Sequence, residues 1–230
     1  MKLYIVATPL GNLKDITLRA LEVLKSVPLI VCEDTRVAEK LLNHYQIKTK
    51  TISYHQHSSA NKVNYLLNKL LELKEMAIIT DAGTPGISDP GNLLVQEAIK
   101  KFGDQCQIIP LPGPSAIITI LSVSGLSTDK FLFLGFLPHK KGKETILKRI
   151  VNSHETVVFY ESTYRIIKTL EKMQQMMMPF GAEENQRQLV IGRELTKKFE
   201  TIYRGNIKQI LDKLKADTTK GEFVVVVAGK

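Results

Sequence analysis

Apolar and β-branched runs alternate with stretches of helical periodicity along the whole chain. LYIVAT (3–8), LIVC (29–32), TISY (51–54), MAIIT (76–80) and QIIPL (107–111) have the short, nearly continuous apolar character of buried strands. Between them, DITLRALEVLKSV (15–27), RVAEKLLNHY (36–45), ANKVNYLLNKLLELK (60–74) and NLLVQEAIKKF (92–102) read as amphipathic helices. Strands buried on both faces and separated by helices predict a mostly parallel sheet covered on both sides. PLPGPSA (110–116), with three prolines in five residues, is predicted to break this regularity.

Beyond the break, ITILSVSGL (117–125) is helix-like and a second set of strands follows: KFLFLGFL (130–137), ETVVFYES (155–162), QLVIGREL (188–195), FETIYRG (199–205) and EFVVVVAG (222–229). Helices are predicted at 145–152, 163–177 and 206–216. FETIYRG directly after QLVIGREL predicts an antiparallel pair, so the second sheet is mixed. The expectation is an α/β chain of two domains. Residues 1–113 carry a mostly parallel sheet with helices on both faces and 114–230 a mixed α/β sheet, with a ligand cleft between them.

Composition adds exclusions. With 230 residues, 43% hydrophobic and 24% charged, the chain is ordinary globular protein. No apolar run approaches the ~20 residues of a membrane helix, and MKLYIVATPL runs into a Pro-Gly turn, so a cytoplasmic protein with no membrane association is expected. Cys32 and Cys106 lie in apolar runs without CxxC spacing and read as core thiols; no metal is expected. The net charge of +9 is uneven: residues 1–110 carry 13 Lys and Arg against 11 Asp and Glu, and residues 111–230 carry 19 against 12. A basic second half suits an acidic polymer, and equally a merely lysine-rich chain.

Loops that follow parallel strands emerge at the carboxyl edge of the sheet, where ligands bind. Neither GxxxxGK[ST] nor GxGxxG occurs, and the punctuated loop DAGTPGISDPG (81–91) has Asp81 and Asp89 but no Lys or Arg, so it is ill suited to a triphosphate. Gly83, Gly86 and Gly91 permit close backbone approach, Pro85 and Pro90 stiffen the loop, and its acidity suits a cationic or neutral ligand. EDTR (33–36) offers Arg36 to hold a phosphate or a nucleophilic oxygen, oriented by Asp34 or Glu33; an acidic residue at a helix start accounts for Asp34 without any function. His55 and His57 share one face if extended, and either could accept a proton near neutral pH. RELTKK (193–198) and HKKGKETILKR (139–149) concentrate cations, and Phe136 and His139 could stack on an unpaired base.

TPLGNLKDIT (8–17), EDTR, DAGTPGISDPG, PLPGPSA, FYES with Arg165, and RELTKKFE (193–200) together resemble, in the same order, the ribosomal RNA small-subunit methyltransferase I family of the tetrapyrrole methylase fold. The resemblance covers essentially the whole chain. It implies a homodimeric, S-adenosylmethionine-dependent enzyme that methylates a cytidine ribose 2′-hydroxyl near the decoding site, with 16S rRNA or the small ribosomal subunit as partner. Tetrapyrrole methylases have a GGDP-type stretch at the long loop; aligned on Ala82-Gly83-Thr84-Pro85, Thr84 stands where they have Asp. The resemblance further implies that Leu10, Ala82, Gly83, Thr84, Ile87, Ser115 and Ala116 line the cofactor, with Tyr160, Glu161, Glu194 and Leu195 reaching it from the second domain.

For such an activity Arg36, Asp34, Glu33 and His55 are the catalytic candidates, and Arg36, Arg165, Arg193, Lys197, Lys140 and Lys141 the RNA contacts. Two departures stand out. TPLGNL replaces the acidic GxGxGD first loop of the tetrapyrrole branch, favouring the RNA branch, and many members continue for some tens of residues past the position of EFVVVVAGK. The competing expectations are a tetrapyrrole C-methyltransferase of the same fold and a non-enzymatic RNA-binding protein.

Overall fold

The computed structural model describes residues 1–55, 58–177 and 187–230. His57 therefore lies outside the described residues. The chain forms two compact units, Met1–Ser115 and Ala116–Lys230, divided two residues beyond the expected 113/114 boundary.

Unit 1 is a five-stranded sheet, all pairings parallel, in the order β3-β2-β4-β1-β5. Its strands are β1 (Lys2–Val6), β2 (Leu29–Cys32), β3 (Lys50–Ser53), β4 (Glu75–Ile78) and β5 (Gln107–Leu111). Its helices are α1 (Leu18–Ser26), α2 (Thr35–His44), α3 (Ala60–Leu73) and α4 (Asn92–Phe102). Side chains cap three of them: Thr17, Asp34 and Ser59 accept from backbone N–H groups in the first turns of α1, α2 and α3. Pro110 sits inside β5, opposite Ile5, rather than ending it. That is tolerated because β5 is the sheet's edge, where a missing donor costs no ladder bond. The break comes after Leu111.

Strand order explains where a ligand can go. From β1 the chain moves toward the β3 edge through α1 and α2, then returns through α3 and α4 to β5 at the other edge. Right-handed crossovers run in opposite directions must place their helices on opposite faces. Accordingly, Ala20, Leu24, Ala38 and Leu42 pack on one face, and Val63, Leu66, Leu67, Leu94 and Ala98 on the other. β1 and β4 are neighbours that the chain leaves in opposite directions, so their carboxyl ends frame the crevice at which open α/β sheets take ligands.

Unit 2 is a mixed sheet in the order β6-β7-β10-β8-β9, formed by β6 (Phe131–Phe136), β7 (Thr156–Ser162), β8 (Gln188–Arg193), β9 (Thr201–Asn206) and β10 (Glu222–Val227). β6 and β7 pair in parallel, and every other pairing is antiparallel, including β8 with β9. One face is covered by α6 (Lys143–Val151), α7 (Ile166–Met177) and α8 (Ile207–Ala216), the other by α5 (Ala116–Ser122). α7 starts three residues later than its periodicity predicts, because residues 163–165 form a turn. No helix among the described residues is long and apolar enough to cross a membrane.

Candidate functional site

In unit 1 the loops after β1, β4 and β5 converge. Thr8 and Gly83 exchange both backbone hydrogen bonds, at 2.9 and 3.0 Å, forming a two-residue antiparallel bridge outside any strand. The Thr84 hydroxyl donates to the Pro114 carbonyl at 3.2 Å, tying the third loop to the second. Gly83 has φ +84°, and a Cβ placed there would stand 3.4 Å from a Leu10 methyl and 3.7 Å from the Pro114 oxygen. It is thus the point at which all three loops meet, in a backbone conformation that other residues adopt at a cost. Gly86, also at φ +84°, folds the rest of the loop back, its carbonyl accepting from the Asn92 side-chain amide at 2.8 Å. Leu10, Ala82, Gly83, Thr84 and Ser115 are brought together in this way, and Ile87 stands 47% exposed farther along the same loop.

The loop after β2 joins the same edge. The Asp34 backbone N–H donates to the Asp81 carboxylate at 3.1 Å, so one of the two acids of the long loop serves as a staple. Glu33 and Thr80 are linked through the Thr80 hydroxyl, which donates to Glu33 Oε2 at 3.0 Å, and the buried Thr8 hydroxyl donates to the Thr80 carbonyl at 2.9 Å. Thr8 and Thr80 escaped the sequence reading. Their signal was available, since each ends an otherwise apolar strand run, a place where a hydroxyl needs a reason.

Asp34 grips Arg36 through a fork, with Nη2 to Oδ2 at 2.6 Å and Nε to Oδ1 at 3.0 Å, while also capping α2 through the Arg36 N–H. Glu33 makes no such contact; its bond to Thr80 takes it away from the orienting role expected of it. The Arg36 side chain is 86% exposed, so its outer face can receive a ligand oxygen. His55 is exposed at the end of β3, where its backbone N–H donates to the Ser58 hydroxyl at 2.8 Å; β2 separates it from the crevice.

The hydrogen bonds from Arg36 pull the Asp34 carboxyl from an ordinary 3.8 down to about 2. Because the folded value is depressed, the pair's stabilisation is complete above the ordinary carboxylate pKa and is lost as pH falls through about 2. A carbon-13 NMR titration of the Asp34 carboxyl is expected to show a midpoint near 2; a midpoint near 3.8 would mean that the fork does not persist in solution. The same edge is electronegative: the Cys32 thiol is pushed up to about 11, first by burial and then by the fields of Asp81, Asp34 and Glu39.

In unit 2 several of the expected contact residues are engaged by partners within the unit. Glu161, expected at the cofactor, is fully buried, its carboxylate ion-paired to Arg165 at 2.7 Å and accepting from the Thr169 hydroxyl and the Ser162 N–H, both at 2.8 Å. Arg165, expected on RNA, is held by that pair and by the Leu137 carbonyl. Arg193 is buried too, donating to the Thr218 carbonyl and lying 3.7 Å from Asp217. Lys197 is bridged to Glu194 at 3.0 Å and Glu222 at 2.9 Å. Leu195 is buried in the core on the α5 face, with Ala116 and Tyr160 at its margin. Lys140 and Lys141 are exposed.

The family model for the Tetrapyrrole (Corrin/Porphyrin) Methylases matches residues 2–211. A protein of Haemophilus influenzae named "Ribosomal RNA small subunit methyltransferase I" is 47% identical, the alignment covering 99% of this chain and 78% of that one. A Synechocystis protein of the same name is 43% identical, with the same coverage of each chain. Among solved structures, a diphthine synthase superposes with a TM-score of 0.75 at 13% identity, covering 99% of this chain and 90% of that one. A cobalt precorrin-4 methyltransferase does so at 0.69 and 15%, covering 99% and 94%. Such low identities speak for the fold alone. The family model and the two close relatives together place the chain: it belongs to the tetrapyrrole methylase family, in its ribosomal RNA small subunit methyltransferase I group.

Proposed function

We propose that the chain transfers a methyl group from S-adenosylmethionine to the ribose 2′-hydroxyl of a cytidine in 16S rRNA near the decoding site, working in the cytoplasm as a homodimer. The observation that carries the reading is the convergence of three loops on Gly83 at an acidic strand crevice, in a chain whose close relatives are named for small-subunit rRNA methylation. A cationic cofactor suits this edge, where Asp81 and Asp34 contribute to raising the Cys32 pKa and the crowded backbone at Gly83 admits a ligand against main chain. Leu10, Ala82, Gly83, Thr84 and Ser115 would hold it. The bound cofactor supplies a methyl group already activated on a sulfonium.

What remains for the protein is alignment, exclusion of water and help for a weakly acidic hydroxyl. Arg36, fixed by Asp34, offers its exposed face to the attacking oxygen or to an adjacent phosphate. Asp34 itself, with its pKa near 2, is too weak a base to take the proton, which leaves that part to Glu33, tied to Thr80 beside the crevice, since His55 stands beyond β2. Arg36→Ala is expected to bind the cofactor normally and to lose transfer by about 100-fold, the scale of removing one charge-stabilising donor. The deciding experiment incubates the protein with labelled S-adenosylmethionine and either small ribosomal subunits or naked 16S rRNA, then maps the label by nuclease digestion. No 2′-O-methylated nucleotide in either substrate overturns the reading.

A further inference from the structure

Among the described residues of unit 2, the three most exposed aromatic side chains share one edge of the sheet, while the less exposed Phe131 opens β6 at the other. β7 and β8 both run antiparallel to β10, and β6 runs parallel to β7, so the carboxyl ends of β6, β7 and β8 share one edge of the sheet. At that edge stand Phe136, closing β6 and 56% exposed; Tyr164, in the turn after β7 and 89% exposed; and Phe199, in the loop after β8 and 68% exposed. Two strand spacings, about 10 Å, separate the ends of β7 and β8. Lys140 and Lys141 lie in the loop following Phe136, and Lys198 sits over the Phe199 ring at 5.5 Å. Glu194 and Glu222 share Lys197, Asp217 lies 3.7 Å from Arg193 and Glu200 accepts from the Thr196 N–H, so among the described residues the acids of this edge are held by groups of the unit itself and the outer lysines stay free of ion pairs with them.

We infer that this edge is a stacking platform for unpaired nucleotides, with Tyr164 and Phe199 as positioning residues that hold single-stranded RNA flanking the methylated site. The inference rests on the RNA methyltransferase reading and adds to it the form of the RNA. Phe136 leans on the Tyr160 ring at 5.1 Å, but Tyr164 and Phe199 leave most of their surface uncovered, and an unpaired base offers a flat face to each. Base faces inside an A-form duplex are already covered by their neighbours, so a duplex would use only the lysines. The Glu161 network fixes the platform's geometry, since Arg165 holds the Leu137 carbonyl at one end of the basic loop and Lys143, at the other, donates to Thr169 at 2.8 Å.

The test measures, at one salt concentration, the affinity of the full chain for a short labelled RNA strand of mixed sequence, alone and annealed to its complement. Tyr164→Ala and Phe199→Ala are each expected to weaken single-strand binding about tenfold while leaving duplex binding within about twofold. Tyr164→Phe, which keeps the ring, is expected to bind as the unaltered chain does. In the methylation assay the alanine variants raise KM for RNA and hold kcat. Single-strand affinity unchanged in both alanine variants, or an equal loss on both RNA forms, overturns the inference. Labelling of small subunits by a chain that binds neither oligonucleotide overturns it too while leaving the methyltransferase reading intact; absence of both labelling and binding overturns both.

Discussion

Glu161→Ala is expected to lower the unfolding free energy of unit 2 by about 3 kcal/mol, because it leaves two partly buried cations without their counter-charge. The carboxylate is fully buried, Arg165 pairs with it at 2.7 Å, and Lys143 lies 3.9 Å away. Burial already lowers the Lys143 pKa; Glu161 opposes that effect, while Arg165 and Lys172 add to it. Removing the one opposing charge therefore leaves two cations facing each other where water reaches them only in part. Thermal unfolding followed by circular dichroism should show a midpoint lower by about 10 °C. Replacing Glu161 and Arg165 together with apolar residues of similar size is expected to restore much of the loss, because a desolvated ion pair returns little net energy and the damage comes from breaking it. An alanine variant as stable as the unaltered chain would show that water reaches the site and screens it.

Gly83→Arg is expected to abolish S-adenosylmethionine binding, by more than about 100-fold or roughly 3 kcal/mol, with the fold retained. A first side-chain atom at this position makes ordinary contacts, 3.4 Å to Leu10 and 3.7 Å to Pro114, so Gly83→Ala carries mainly the strain of φ +84°, about 1–2 kcal/mol. A longer chain has to pass between the loops after β1 and β5, where the cofactor is proposed to lie. Calorimetric titration of both variants separates the effects: the alanine variant should bind within about 30-fold of the unaltered chain, the most that about 2 kcal/mol of strain could cost. If the arginine variant bound normally, the convergence of loops on Gly83 would not be the cofactor cradle.

Much of the fold was legible because buried parallel strands and amphipathic helices leave distinct patterns. QIIPL and NLLVQEAIKKF coincide with β5 and α4, and the antiparallel pair expected from QLVIGREL and FETIYRG is β8 with β9. The burial of the charged residues of unit 2 was not read from the sequence, although strand alternation carried the signal. Val157 and Phe159 pack on the face covered by α6, α7 and α8, so Glu161, two residues on, points there too, while Tyr160 lies on the α5 face with Val158. Leu189 and Ile191 turn Arg193 inward by the same rule. Family motifs name neighbours such as Tyr160 and Glu161 together, but a strand never sends both to one side. Other features were beyond the sequence. The Asp81 staple spans 47 residues, and no local pattern announces a hydrogen bond formed only once β2 and β4 lie side by side.

The bridge between Thr8 and Gly83 has a consequence for how the site meets its ligand. Two loops that would otherwise sample many conformations are knitted together like a further rung of the sheet, and their amides open only when that rung does. Their ordering entropy is therefore lost during folding and is not charged against affinity at each encounter. A ligand arriving at this edge meets two loops already joined at Thr8 and Gly83, rather than having to bring them together itself.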